Sequence, residues 1–201
     1  TLLKHSKTFL MENGCYRFET FDFEKLTLKE KSCMYEDLKV QKIVFAEGFG
    51  MVTNPYFKDL PLNVAKGEVI TIVAPSLKID YVLKSSIFVV PEGNDLYSVG
   101  ATYNWIDKTH EVTEEAKTEL LNGLNQLITC DYEVVGQRAG IRPTVKDRKP
   151  LVGIHPIFKN IAILNGLGTR GVMISPYAAK MLFDHIEKGV PIDKEMDIMR
   201  F

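Results

Sequence analysis

The chain contains no apolar run near the ~18 residues a membrane-spanning helix needs, so no helical membrane span is expected. It has no excess of charge either. Its 25 Lys and Arg against 26 Asp and Glu leave a formal net charge of −1, which gives no electrostatic reason to expect nucleic acid or an anionic membrane as partner. Cysteine is scarce and odd in number: Cys15, Cys33 and Cys130 match no zinc or redox spacing and read as reduced thiols of a cytoplasmic protein. The four histidines, His5, His110, His155 and His185, are scattered. None pairs with another His, Cys or carboxylate at ligand spacing, so no metal is expected. No G-x-S-x-G occurs and no Cys has a His near it in sequence, so nothing suggests a nucleophile constellation. Internal repeats and low-complexity segments are absent. Thr1 opens a polar amphipathic stretch rather than a secretory signal.

What is present suits a globular protein: 201 residues, 45% apolar and 25% charged, enough for one large domain or two small ones. Residues 2–12 place Leu2, Leu3, Phe9 and Leu10 on one side of a helix, stopped by Asn13-Gly14. "CYRFETFDF" alternates and predicts a strand, with a second near 26–37 returning beside it. "KIVFAEGFG" (42–50) is continuously apolar and then breaks, the signature of a strand buried on both faces. "KGEVITIVA" (66–74) predicts another strand. "SSIFVVPEGNDLYSVGATY" (85–103) predicts a hairpin around Glu92-Gly93-Asn94-Asp95. Thr113 caps the clearest helix, with Ala116, Leu120, Leu124, Leu127 and Ile128 as its buried stripe. "DYEVVGQRAGIRP" and "NIAILNG" (160–166) predict two further strands. A last helix runs over 172–189, with Ile174, Ala178, Met181, Leu182 and His185 on one face. Pro176 is placed in its first turn and Gly189 at its C′ position. The strands at 42–46 and 160–165 look like edges of a second sheet whose other strands are missing.

Two segments carry chemistry. In "NGLGTRGVMISP", Gly166, Gly168 and Gly171 let backbone approach a ligand, and the helix that follows turns its free N–H groups and positive dipole end toward the turn. An anion or a polarised carbonyl fits there; so does a plain strand-to-helix turn. The acidic residue that a dinucleotide fingerprint wants about 20 residues on has no strand to sit on, which excludes primary dinucleotide binding here. In "GIRPTVKDRKPLVG", Arg142 offers a planar fork matched to a carboxylate. Pro143 fixes its backbone toward extended geometry, and Gly140 permits close packing. A surface ion pair is the competing reading. Arg170 either adds a second positive charge or faces solvent. Tyr103 and Trp105 either wall a pocket or pack in the core. Arg138, Lys146, Arg148 and Lys149 are assigned to solvent.

Taken in order, "KIVFAEGFG", "LPLNVAKGEVITI", "IFVVPEGNDLYSVGATY", "VGQRAGIRPTVKDRKPLVGIHP" and "NIAILNGLGTRGVMISPYAAKML" resemble FAD-dependent oxidoreductases of the D-amino-acid oxidase and glycine oxidase family. The resemblance covers about residues 40–189. It implies that Arg142 holds a substrate carboxylate, with Tyr103 and Arg170 also on the substrate. Gly48 and the turn Gly166, Leu167, Gly168, Thr169, Arg170, Gly171 and Val172 would face FAD. The reaction implied is hydride transfer from the α-carbon of an amino acid or amine to flavin N5, with no side chain needed as acid or base. The implied fold is α+β. A mainly antiparallel substrate-domain sheet (51–138) is flanked by helices and joined to pieces of an incomplete FAD-binding α/β domain (1–50 and 139–201). The family's opening βαβ unit with G-x-G-x-x-G is not in this sequence. The chain is therefore expected to be the C-terminal portion of a longer flavoenzyme, to need that dinucleotide-binding segment as partner, and to bind FAD weakly or not at all by itself. The implied partner is a small carboxylate-bearing amine. A non-catalytic binding module and a 2-hydroxy-acid dehydrogenase of the same flavin family are the alternatives.

Overall fold

Helices form where the periodicity calls for them. The computed structural model describes residues 2–201; Thr1, and the reading placed on it, lie outside the described residues. Helix α1 (Leu2–Glu12) ends at Asn13-Gly14, where Gly14 takes φ +66°. No residue of α1 is buried. In α2 (Glu114–Leu124) the Thr113 hydroxyl accepts from the Ala116 N–H, and Ala116, Leu120 and Leu124 are buried. α3 (Gly171–Lys188) buries Ala178 and Leu182 and ends at Gly189, in the left-handed region at φ +69°. Because α3 begins at Gly171, Pro176 falls in its second turn rather than its first. There it removes one helix hydrogen bond and its ring crowds the carbonyl four residues back.

The strands, in chain order, are β1 (Leu26–Leu28), β2 (Cys33–Tyr35), β3 (Leu38–Val40), β4 (Ile43–Phe45), β5 (Ala65–Val73), β6 (Leu83–Lys84), β7 (Phe88–Gly93), β8 (Leu96–Gly100), β9 (Glu133–Arg142), β10 (Leu151–Ile154) and β11 (Ile161–Asn165). They build three sheets: β1-β2-β3, β10-β11-β4 and β6-β7-β8-β5-β9. The five-stranded sheet is antiparallel throughout. The β7–β8 hairpin turns through Asn94 and Asp95 at φ +52° and +58°, the conformation a tight hairpin with the sheet's twist requires. The mixed, mainly antiparallel α+β class expected from the sequence is the class observed.

Three local expectations differ. Residues 15–22 form no strand; Asp22 instead caps a 3-10 turn at Phe23–Lys25, and Phe21 stacks on Tyr35 with ring centroids 4.3 Å apart. Aromatic packing from an irregular segment replaces the alternating ladder. The two apolar strands are not separate orphans: β4 and β11 pair with each other in parallel, and β10 pairs on the far side of β11. Finally, β4 is an edge strand in this structure, so it is not buried on both faces; Val44 is 44% exposed.

The five-stranded sheet has its own core, whereas β1-β2-β3 shares one with β10-β11-β4. Ile70, Ile72, Val89, Tyr97 and Val99 pack on Leu120 and Leu124 of α2. One face of β10-β11-β4 packs on an aromatic cluster with Tyr35, Phe45, Met51 and Phe57. Its other face meets Ala178 and Leu182 of α3. Leu120 is fully buried between α2 and the large sheet. Leu120→Ala should therefore lower unfolding free energy by about 2–5 kcal/mol, the range for truncating a buried leucine. Urea denaturation measures this, and a loss under about 1 kcal/mol would mean that α2 is not packed on the sheet as described.

Candidate functional site

Arg142 is the last residue of β9, and the register sets it opposite Ala65 of β5. Its side chain leans diagonally onto Gly67, where an added Cβ would fall inside the guanidinium. The Tyr103 ring also lies against the guanidinium, with Cζ 4.2 Å from the ring centroid. Nη1 donates to the Thr102 carbonyl at 3.2 Å. Among the described residues that is its one hydrogen bond, and it forms no ion pair. Gly140, by contrast, faces open space. The close packing expected there occurs at Gly67, because the side chain crosses to the neighbouring strand.

The glycine turn is stitched to the same loop. Gly166 and Gly168 adopt φ +69° and +58°. The Gly168 N–H donates to the Pro143 carbonyl at 3.1 Å. A Cβ at Gly168 would press on Thr144, and one at Gly166 would overlap Val145. Asn165, which sequence reasoning passed over, clasps the turn: its amide donates to the Gly48 carbonyl at 2.9 Å and its Oδ1 accepts the Gly166 N–H at 2.8 Å. Gly48, at φ +58°, lies against Pro143. A 3-10 turn at Gly168–Arg170 leads into α3, and neither start carries a side-chain cap. Leu167 is partly buried against the α3 core. Thr169 and Arg170 are exposed, Gly171 is half-buried and Val172 is exposed.

Two hollows meet here. One, of about 480 Å³, is lined by Arg142, Tyr103, Ala101, Val69, Phe88 and Thr169, together with Lys84, Ser86 and Glu119. The other, of about 650 Å³, is lined by Gly166 to Arg170, Thr144 to Lys146, Arg148, Asn63, Tyr103 and Trp105. Tyr103 and Thr169 belong to both. Arg142 and Arg170 thus lie on different hollows. Tyr103 and Trp105 are both half-exposed and stack on each other at 6.3 Å, so neither packs in the core. Of the arginine-segment neighbours assigned to solvent, Arg138 bonds Ser98, Lys149 pairs with Glu195, and Lys146 and Arg148 line the larger hollow. Val69, Phe88, Lys84 and Glu119 were not legible as site residues. They sit on the middle of β5, the end of β6, the start of β7 and helix α2, which only the folded sheet brings together.

The loop carrying Tyr103 and Trp105 is anchored by a buried ionic network. Lys66, 1% exposed, exchanges backbone hydrogen bonds with Asn104 and donates through Nζ to Asp107 at 2.5 Å. Glu68 lies 3.6 Å from the same ammonium. Burial acts to raise the Glu68 carboxyl. Hydrogen bonds from the Thr113 N–H and hydroxyl and from Gln137, with Lys66 beside it, outweigh that and hold it below the usual range. The Lys66 hydrogen bond, then the Thr109 N–H and hydroxyl, bring Asp107 down to about 2.

Comparison with known proteins bears on what these hollows serve. The family model described as FAD dependent oxidoreductase matches residues 25–185. The chain belongs to this family. Among its relatives, the tRNA 5-methylaminomethyl-2-thiouridine biosynthesis bifunctional protein MnmC of Campylobacter jejuni is 26% identical over 155 residues, covering 76% of this chain and 25% of that protein. Glycine oxidase of Geobacillus kaustophilus is 26% identical over 133 residues, covering 64% of this chain and 35% of that protein. In fold, the chain is similar to iminodiacetate oxidase from Chelativorans sp. BNC1, with a TM-score of 0.69 at 22% identity over 86% of this chain and 51% of the other. The chain thus spans about a quarter of the first relative and about half of the solved neighbour.

Because the Asp107 carboxyl is depressed in the fold, its contribution to stability is present above the unfolded value near 3.8 and is lost as pH falls toward about 2. The difference in unfolding free energy between wild type and Asp107→Asn should be constant above pH ~4.5 and shrink below pH ~4. Urea titrations across pH 2.5 to 7 measure it. A difference that does not change with pH would remove the Lys66–Asp107 pair from its anchoring role.

Proposed function

We propose that this chain forms the substrate-carboxylate site and one wall of the flavin site in an FAD-dependent oxidoreductase that acts on an amine bearing a carboxylate. The observation that carries the reading is Arg142: a half-buried guanidinium with no ion pair, facing a hollow that it shares with Thr169 of the glycine turn. A charge taken partly out of water without a counter-ion is costly, and a ligand carboxylate relieves that cost. The names of two relatives agree in kind: glycine is an amine with a carboxylate, and methylaminomethyl is an amine substituent.

The larger hollow fits a flavin. Gly166 and Gly168 leave it open where side chains would clash or be strained, and the tip of α3 offers backbone N–H groups with no side-chain cap. Bound FAD supplies the redox chemistry, taking a hydride from the carbon beside the amine. Everything else falls to this chain's residues. Arg142 grips the carboxylate through paired N–H donors and so fixes the orientation of the α-carbon. Tyr103 covers the guanidinium and excludes water from one side. The α3 tip sets positive potential beside the glycine turn, which would favour negative charge on a flavin bound there. Arg170 adds to that potential from the larger hollow, and an amine arriving neutral needs no side-chain base. The family's dinucleotide-binding segment is the partner this reading requires, so the 201 residues alone bind FAD weakly or not at all.

In the full-length protein, Arg142→Ala should raise KM for carboxylate-bearing amines roughly ten- to a hundredfold, the equivalent of about 1.5–3 kcal/mol for a charged hydrogen bond. Amines lacking the carboxylate should be unaffected. Steady-state kinetics on a panel of amino acids and their amides reads this out, and an unchanged KM for every carboxylate substrate would withdraw Arg142 from the role.

A further inference from the structure

We propose that Gly67 is a positioning residue for Arg142, its missing side chain leaving the space in which the guanidinium lies beside Tyr103. The proposal rests on the reading of Arg142 as the carboxylate site. β5 presents two small residues, Ala65 and Gly67, on the face that Arg142 crosses. The guanidinium occupies the volume in which a Cβ at 67 would stand. Gly67 is fully enclosed and takes no left-handed backbone angle, so its lack of a side chain is explained by this contact and not by backbone conformation. The Tyr103 ring lies 4.2 Å from Cζ, within cation–π range. At the edge, the Thr102 carbonyl takes one N–H.

A guanidinium has five N–H donors in one plane. It is packed against the Gly67 backbone and the Tyr103 ring. One donor is committed to Thr102, and Arg142 lines the smaller hollow. The donors left free suit a planar, two-oxygen acceptor lying in the guanidinium plane, which is a carboxylate. Any side chain at 67 tilts the plane and mismatches the pair.

The test uses the full-length flavin-loaded protein with benzoate as carboxylate probe and benzamide as neutral control, binding being followed by the flavin absorbance change. Gly67→Ala should weaken benzoate at least tenfold and leave benzamide unchanged. In an Arg142→Ala background the same Gly67→Ala change should have no further effect on benzoate, since the two residues act through one contact. Equal benzoate affinity in wild type and Gly67→Ala would overturn the proposal, as would the same loss in both backgrounds. If wild type binds benzoate no better than Arg142→Ala, the carboxylate reading itself fails, and this proposal with it. Should Gly67→Ala not fold, restoration of folding in Gly67→Ala/Arg142→Ala supports the contact, and failure of both variants to fold contradicts it.

Discussion

The structure depends at its centre on a charge held without a partner. Arg142 sits at the end of β9, half-covered by protein, with one carbonyl as acceptor and no carboxylate of its own. Other arginines find carboxylates: Arg200 pairs with Asp147, and Arg17 with Asp37. Among the described residues Arg142 has none, and Gly67 and Tyr103 pack against it. That combination makes sense as preorganisation: the group is set before the ligand arrives, so binding spends little on ordering it.

β5 is the element that makes this possible, because its two faces do different work. Lys66 and Glu68 point to one side and, with Asp107 and Thr113, anchor the loop after β8. Ala65 and Gly67 point to the other and leave room for Arg142. The ring of Tyr103 belongs to that anchored loop, so the ionic network on one face sets the position of the aromatic cover on the other. The glycine turn is joined independently, through Gly168 to Pro143 and through Asn165 to Gly48. Two sheets with separate cores are thereby tied together at residues 142–145, the only stretch that bonds to both the turn and the start of β5 among the described residues.

Much of this was legible in the sequence, for physical reasons that can be named. Helices α2 and α3 announced themselves because cap, stripe and C′ glycine agree. β5, β9 and the hairpin did so because β-rich runs end at turn residues. The Arg-Pro step and the glycine turn, both visible in the sequence, are joined in the fold through the Gly168 N–H and the Pro143 carbonyl. Across-sheet information was not legible. Gly67 reads as a strand-entry glycine until the register sets it beneath Arg142, and Gly140 attracted attention only because it is the nearer glycine in sequence. Residues 15–22 alternate like a strand, yet they pair with no neighbouring strand and Phe21 stacks on Tyr35 instead. The parallel pairing of β4 with β11 joins segments too far apart for any local pattern to reveal.

The most direct measurement is a crystal structure of the flavin-loaded protein with a carboxylate bound. The account predicts both carboxylate oxygens about 2.7–2.9 Å from Arg142 nitrogens, in the guanidinium plane, with the flavin ring against Gly166 to Thr169. A carboxylate seated elsewhere while Arg142 turns to an acidic side chain, or a flavin away from the glycine turn, would contradict it.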